Sequence, residues 1–197
     1  AKTIPTAAPK DTSGTSIISA KGILSPKWNA DRDIFSRWYP QVPVTEEQFF
    51  TMYKDRLGLL DDDSVLKLVS NRITDTGSQK RYRQLYKSLP VKNAEIVIAF
   101  NQSGEIISVF NNLYPIEDFS VSPTLSLGES RENIESEINL TTLRAPGQTL
   151  LKIAEIDGEM KLVYEWHLPA TEPFGDWEVL VDAYSGEILS IKDLRKF

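Results

Sequence analysis

His167 is the chain's one histidine, and cysteine does not occur. These two facts bound the chemistry available. Zinc hydrolysis gathers imidazole or thiolate ligands, and neither a cluster nor an HExxH run is present, so the chain carries no zincin centre of its own. A serine nucleophile needs a histidine base, and no GxSxG elbow occurs beside a Ser-His-Asp set. The phosphate-cradling loops GxGxxG and GxxxxGK(S/T) are absent. Carboxylate pairs such as Asp176 with Asp182, or Glu155 with Glu165, have the types for a general acid and base. Acids that alternate along an exposed strand give the same pattern, and that is how these are read. Asp61-Asp62-Asp63-Ser64 groups three carboxylates but lacks the alternate ligands and distal glutamate of an EF-hand loop, so it reads as a solvated turn. His167, between a strand and a proline loop, reads as a surface or interface histidine; the alternative is contact with a metal held by another protein. Disulfides and thiolate nucleophiles are excluded. Asn101-Gln102-Ser103 and Asn139-Leu140-Thr141 match the glycosylation pattern, which matters only in a eukaryotic source. The expectation is a protein that is not an enzyme and holds no cofactor.

Composition agrees. The 197 residues are 41% hydrophobic and 25% charged, as in ordinary globular domains. The net charge of −6 has no basic block, which argues against a nucleic-acid surface. No apolar run approaches the roughly 20 residues of a membrane helix. No signal peptide is visible, and Ala1 reads as a processed or an engineered start. The lack of cysteine suits the cytosol and equally an exported bacterial protein.

The elements follow from periodicity. Residues 1–25, rich in Ala, Thr, Ser, Pro and Lys, read as a flexible arm. Ile34, Phe35 and Trp38 form a stripe that predicts a short helix over 28–39, stopped by Pro40; the other reading is an apolar docking segment. Thr45-Glu46-Glu47-Gln48 is a capping box, followed by Phe49, Phe50, Tyr53, Leu57 and Leu60 on one helical face. Strands are predicted at Val65–Asn71, Gln79–Tyr86, Ala94–Phe100 and Glu105–Phe110, then a linker from Asn111 to Pro123. A second capping box, Ser126 to Glu129, opens a helix with a narrow stripe of Leu127, Ile134 and Ile138. Leu150–Ile156 and Glu159–Trp166 flank Asp157-Gly158, the favoured two-residue hairpin turn. A loop is predicted over His167–Asp176. Trp177 to Asp182 alternates with period two, Ala183 to Gly186 turns, and Glu187–Ile191 returns. The same hairpin form occurs at Asn101–Gly104, so the chain reads as a doubled unit. The predicted fold class is α+β: two tandem cystatin-like modules, each a helix packed on a four-stranded antiparallel sheet. Their bounds are an arm at 1–44, a first module at 45–118 and a second at 119–197.

The stretch Gly77 to Tyr114 resembles the fungalysin/thermolysin-type propeptide domain, through Arg81, Tyr82, Gln84, Tyr86, Pro90, Val91 and Gly104. Ser126 to Ile191 resembles the PepSY domain that follows it in the same proteases, through Trp177, Val181, Asp182, Ala183, Ser185, Gly186 and Glu187. Three positions depart from the pattern: Lys92-Asn93-Ala94 stands where a glycine pair or Gly-Ala is usual, Arg83 where glutamine is common, and Ser130-Arg131 where the second helix usually has alanines. The resemblance implies an exported protein, secreted or in the cell envelope. Its partner would be a zinc metallopeptidase catalytic domain, in cis or in trans, whose folding it assists and whose cleft it blocks. It also implies that Leu194, Arg195, Lys196 and Phe197 lead toward that cleft. Leu194 and Phe197 suit an apolar pocket; Arg195 and Lys196 suit an acidic cleft or mark a processing site. Arg81, Tyr82, Gln84, Tyr86, Trp177, Asp182 and Gly186 are then structural. A free-standing envelope binding protein with no protease partner is the alternative.

Overall fold

Thr45 and Ser126 each open a helix through a reciprocal capping box, with Gln48 and Glu129 as third-position partners. Each box satisfies N–H groups that a helix start leaves unpaired. The helices are α1 (Glu46–Tyr53) and α2 (Leu127–Ile138). A computed structural model describes residues 27–29, 34–59 and 62–195. The arm expected over 1–25, and Leu60, Asp61, Lys196 and Phe197, lie outside them.

Most of the remainder is strand: β1 (Lys27–Asn29), β2 (Ile34–Trp38), β3 (Ser64–Thr74), β4 (Gly77–Tyr86), β5 (Leu89–Asn101), β6 (Ile106–Asn111), β7 (Thr142–Leu143), β8 (Gln148–Ile156), β9 (Glu159–Glu172), β10 (Phe174–Asp182) and β11 (Ile188–Asp193). They form one curled, eleven-stranded sheet in the order β1-β2-β6-β5-β8-β9-β10-β11. β3 and β4 lie on the other side of β5, and β7 pairs with β9. The pairings are antiparallel except for a parallel bridge of Val91 to Ile153 that joins β5 to β8. The expected pair of separate helix-on-four-strand modules is therefore not what forms.

The reason lies in β5. Ala94, Ile96, Ile98 and Phe100 alternate inward, as period two demands. Arg83 of β4 faces Glu95, but Leu85 faces Pro90, so β5 bulges over the residues between. Asn93 within the bulge takes φ of 60°, a left-handed conformation that asparagine tolerates better than other side-chain-bearing residues. The displaced Val91 then reaches β8. The segment expected as a linker after β6 is also core: Leu113 and Ile116 are fully or nearly fully buried, in two different clusters. One cluster joins α1 to Ile96, Ile98 and Phe100; the other joins α2 to Val91, Ala94, Ile153, Trp166 and Val179. Both helices thus lie over the same face of β5, and the apolar interior crosses from one half to the other.

Two further expectations give way to strands. The described residues of the segment 28–39 form the β1–β2 pair, not a helix. Short apolar runs fit either period, and β6 settles it: Trp38 sits opposite Val109 and is buried, while Arg37 and Tyr39 are exposed. The predicted loop 167–176 is a hairpin, since β9 runs to Glu172 and β10 starts at Phe174. Pro169 sits where the neighbour of β9 changes from β8 to β7, and its carbonyl accepts from Arg144 N–H at 2.9 Å. A residue without an N–H is tolerated at such a gap in the ladder.

Candidate functional site

The sheet face away from the helices carries the ionisable cluster. Residue alternation puts Glu165 and His167 of β9 beside Glu178 of β10, and the β5 bulge delivers Lys92 to them. Lys92 Nζ pairs with Glu165 and lies 3.1 Å from Glu178. Lys152 of β8 holds the other Glu165 oxygen. His167 Nε2 is 3.5 Å from Glu178. Burial disfavours the charge on Glu165, but the two ammonium groups outweigh it and hold its carboxyl below the usual value. Burial likewise opposes the charge of Lys92, and the bonds to Glu165 and Glu178 raise its pKa in spite of it.

Glu165, His167 and Glu178 bring potential ligand atoms within 4.8 Å of one another, as a metal site would. Both Glu165 oxygens are already held by lysines, however, and Lys92 repels a divalent cation from the same spot. Only His167 and one oxygen of Glu178 remain, short of a three-ligand site. The arrangement serves better as a charge-balanced clasp between β5 and β8–β10. Lys92→Ala is expected to cost about 1–3 kcal/mol, less than for a fully buried pair because these side chains keep some solvent contact; it leaves Glu178 facing Glu165 with Lys152 alone to offset them. The loss is present at neutral pH. The depressed Glu165 pKa means that its share of stability exists above the unfolded carboxyl pKa and fades as pH falls through the folded one. The gap between wild type and variant in urea melts therefore narrows on acidification; a constant gap down to pH 3 would contradict the clasp.

The other sequence-predicted residues are dispersed. Gln84 is fully buried, and its amide pairs with the backbone of Tyr114: Nε2 donates to the carbonyl at 2.7 Å and Oε1 accepts the N–H at 2.9 Å. Tyr86 is buried and its hydroxyl accepts Phe119 N–H at 3.2 Å. Tyr82 donates to Glu46 of α1; burial and that carboxylate raise the phenol's pKa. Arg81 and Arg83 share Glu95 at 2.6 and 3.3 Å. Trp177 lies against Gly175, where a Cβ would come within 2.4 Å of its ring, and its indole N–H donates to Pro173. Asp182 accepts the N–H groups of Tyr184 and Ser185 at 2.8 and 2.9 Å. Burial opposes its charge, yet those N–H groups keep its pKa low. Gly186 has φ of 79°, and a Cβ there would meet Asn133 Nδ2 at 2.6 Å. Asn133 donates to the Gly186 carbonyl, so the turn docks on α2. Ser130 accepts the indole N–H of Trp166 at 2.9 Å, which accounts for a hydroxyl on the packed side of α2.

The paired carboxylates do not converge. Asp176 is bound to Arg144, and Asp182 is six residues along the same strand, about 20 Å away. Glu155 caps Gly158 N–H at its hairpin turn, away from Glu165. At the far end of β11, Leu194 is 45% exposed while its N–H donates to Asp176. Arg195 turns back: its Nε lies 3.0 and 2.8 Å from the two Asp193 oxygens, and the guanidinium sits 4.5 Å from the Phe174 ring centroid. Its bonds hold the Asp193 carboxyl well below the usual range.

Residues 65–113 match the family described as Fungalysin/Thermolysin Propeptide Motif. No curated protein matches the chain. Among solved structures, the chain is similar to the Bacillus megaterium YpeB C-terminal domain, at 12% identity and a TM-score of 0.40, with 82% of this chain and 73% of that one covered. The propeptide motif spans β3 to β6 and ends on the buried Leu113. It therefore contains Gln84, the Asn93 bulge and Lys92, the parts that tie the two halves together. Nothing in the sequence ties Lys92, Lys152 and Glu178 to one cluster with Glu165. Lys92 and Glu165 are 73 residues apart, and alternation along β9 and β10 was the one available signal.

Proposed function

We propose that the chain is a propeptide-type partner of a secreted, thermolysin-like zinc peptidase, which it helps to fold and whose cleft it blocks by surface docking. The match of residues 65–113 to the propeptide motif carries this reading. The placement of polar motif residues supports it: Gln84, Tyr86 and Asp182 spend their hydrogen bonds on backbone groups of this chain, as scaffold residues do. Docking on a catalytic domain, in cis or in trans, then falls to the outer surface, and the protein works where the peptidase is exported. Ser126–Ile191 is read as the PepSY-type part of the scaffold.

The tail is assigned a cleft-facing role, with Leu194 as the exposed apolar residue nearest the sheet. Arg195 contributes by fixing the direction in which the chain leaves Asp193 rather than by a free charge. The test is inhibition. Purified chain is expected to inhibit thermolysin-like peptidases, with nanomolar affinity corresponding to roughly −12 kcal/mol. Removing Leu194–Phe197 should weaken inhibition and leave the melting midpoint nearly unchanged. Equal inhibition by the truncated chain would remove the tail's role, and no inhibition of several such peptidases by the full chain would overturn the reading.

A further inference from the structure

β3 is an outer strand. It pairs with β4, and no strand among the described residues pairs with its other side. An edge of eleven residues offers a row of backbone donors and acceptors to another chain. Lys67 and Arg72, on either side of a bulge between Leu68 and Ser70, discourage pairing of this edge with its own copy, which would bring like charges together. These devices do not account for the apolar side, where Leu68 is 46% and Ile73 75% exposed.

The opposite side is cationic. Register aligns Ser70, Arg81, Val97, Phe110 and Arg37 in one row, Lys67, Arg83 and Glu95 in the next, and Arg72 beside Gln79. Glu95 is the one carboxylate in these rows, and two arginines share it. Lys67 and Arg72 are exposed and make no ion pair among the described residues. A cationic margin on a chain of net charge −6 is a local feature against the overall tendency.

The geometry points to β3 as a docking edge for an extended segment of a partner protein whose side chains alternate acidic and apolar. Such a strand continues the backbone ladder, sets carboxylates beside Lys67 and Arg72, and covers Leu68 and Ile73 with its other face. A second copy would place Lys67 and Arg72 against like charges. A nucleic acid or anionic membrane brings no strand to the edge and meets the net negative charge. The partner assignment rests on the propeptide reading above: the segment belongs to the peptidase domain.

Two synthetic peptides of about ten residues, one alternating Glu and Val and one alternating Lys and Val, would be titrated into the full chain by fluorescence anisotropy. The Glu peptide is expected to bind saturably and the Lys peptide not to. The double variant Lys67→Glu, Arg72→Glu should weaken Glu-peptide binding about tenfold or more with an unchanged thermal midpoint, and should weaken peptidase inhibition as well. Equal binding of both peptides, indifference to the double variant, a β3-dependent dimer, or tighter binding of duplex DNA or anionic vesicles at this margin would each overturn the proposal. The two readings separate cleanly. Inhibition that is intact in the double variant, with no peptide binding, sinks the docking edge and keeps the propeptide reading. Peptide binding that the double variant abolishes, in a chain that inhibits no peptidase, does the reverse.

Discussion

Trp38→Ala is expected to lower stability by about 3–5 kcal/mol, the range for truncating a large buried aromatic. Trp38 is 1% exposed. Its ring stacks on Phe49 at 5.2 Å between centroids and meets Tyr53 at 5.1 Å, so it is the contact through which β2 holds α1. Among the described residues, the register of β2 on β6 consists of Arg37 and Trp38, so losing the indole leaves little to keep the β1–β2 pair in place. Release of that pair would also expose the β6 edge and free Arg37 from the Phe110 ring, 4.7 Å away. The melting midpoint should fall by about 2–4 °C per kcal/mol lost in a chain of this size. Trp38→Phe is expected to cost only about 1–2 kcal/mol. It keeps an aromatic on Phe49 and removes an indole N–H that is buried without a hydrogen-bond partner among the described residues. Equal midpoints for wild type and the alanine variant would show that β2 is not docked on α1.

Trp38 also shows where the sequence is legible and where it is not. Both capping boxes and the Asp157–Gly158 turn, whose φ values are 52° and 87°, are written in neighbouring residues, and local rules are enough to find them. The strands of the propeptide motif are legible for the same reason, since period two survives in a single sequence. What fails is anything set by a partner far along the chain. Ile34, Phe35 and Trp38 have spacings that suit a helix, and the existence of a free β6 edge decides otherwise. Pro169 and Pro173 signal a loop, yet the neighbours of β9 accommodate a proline between β8 and β7.

The division into two modules fails for a subtler reason. Each half does repeat a helix and a run of strands, and that repetition is visible. Whether repeats stand apart or merge depends on surplus residues in one strand. Asn93 lies among those residues, and its left-handed backbone lets β5 leave β4 and meet β8. Once Val91 bridges to Ile153, the two apolar clusters share β5, and Lys92 is committed to Glu165 and Glu178. The extra residues of β5 between Pro90 and Glu95 thus set the architecture and the charged clasp together.

Gln84 provides the second large effect. Gln84→Ala is expected to cost about 2–4 kcal/mol, since it removes both the acceptor for Tyr114 N–H and the donor to the Tyr114 carbonyl in a buried setting, at about 1–3 kcal/mol for each group left without its bond. Tyr114 begins the buried passage from one cluster to the other, so the loss falls on the joint between the halves. Gln84→Glu tests the same bonds with almost no change of volume. Its carboxylate can still accept Tyr114 N–H, but when ionised it faces the Tyr114 carbonyl and has no proton to donate. Burial and that carbonyl both favour the neutral acid, so the folded pKa of the new glutamate is raised above its unfolded value. Below the unfolded pKa, near 4.3, the protonated side chain replaces the amide's donor and the variant approaches wild type. Above it the deficit grows, and it levels off once pH passes the folded pKa. Paired urea melts from pH 4 to pH 8 should show a widening gap between the two proteins. A gap independent of pH would mean that residue 84 is solvated and that the Tyr114 backbone does not depend on it.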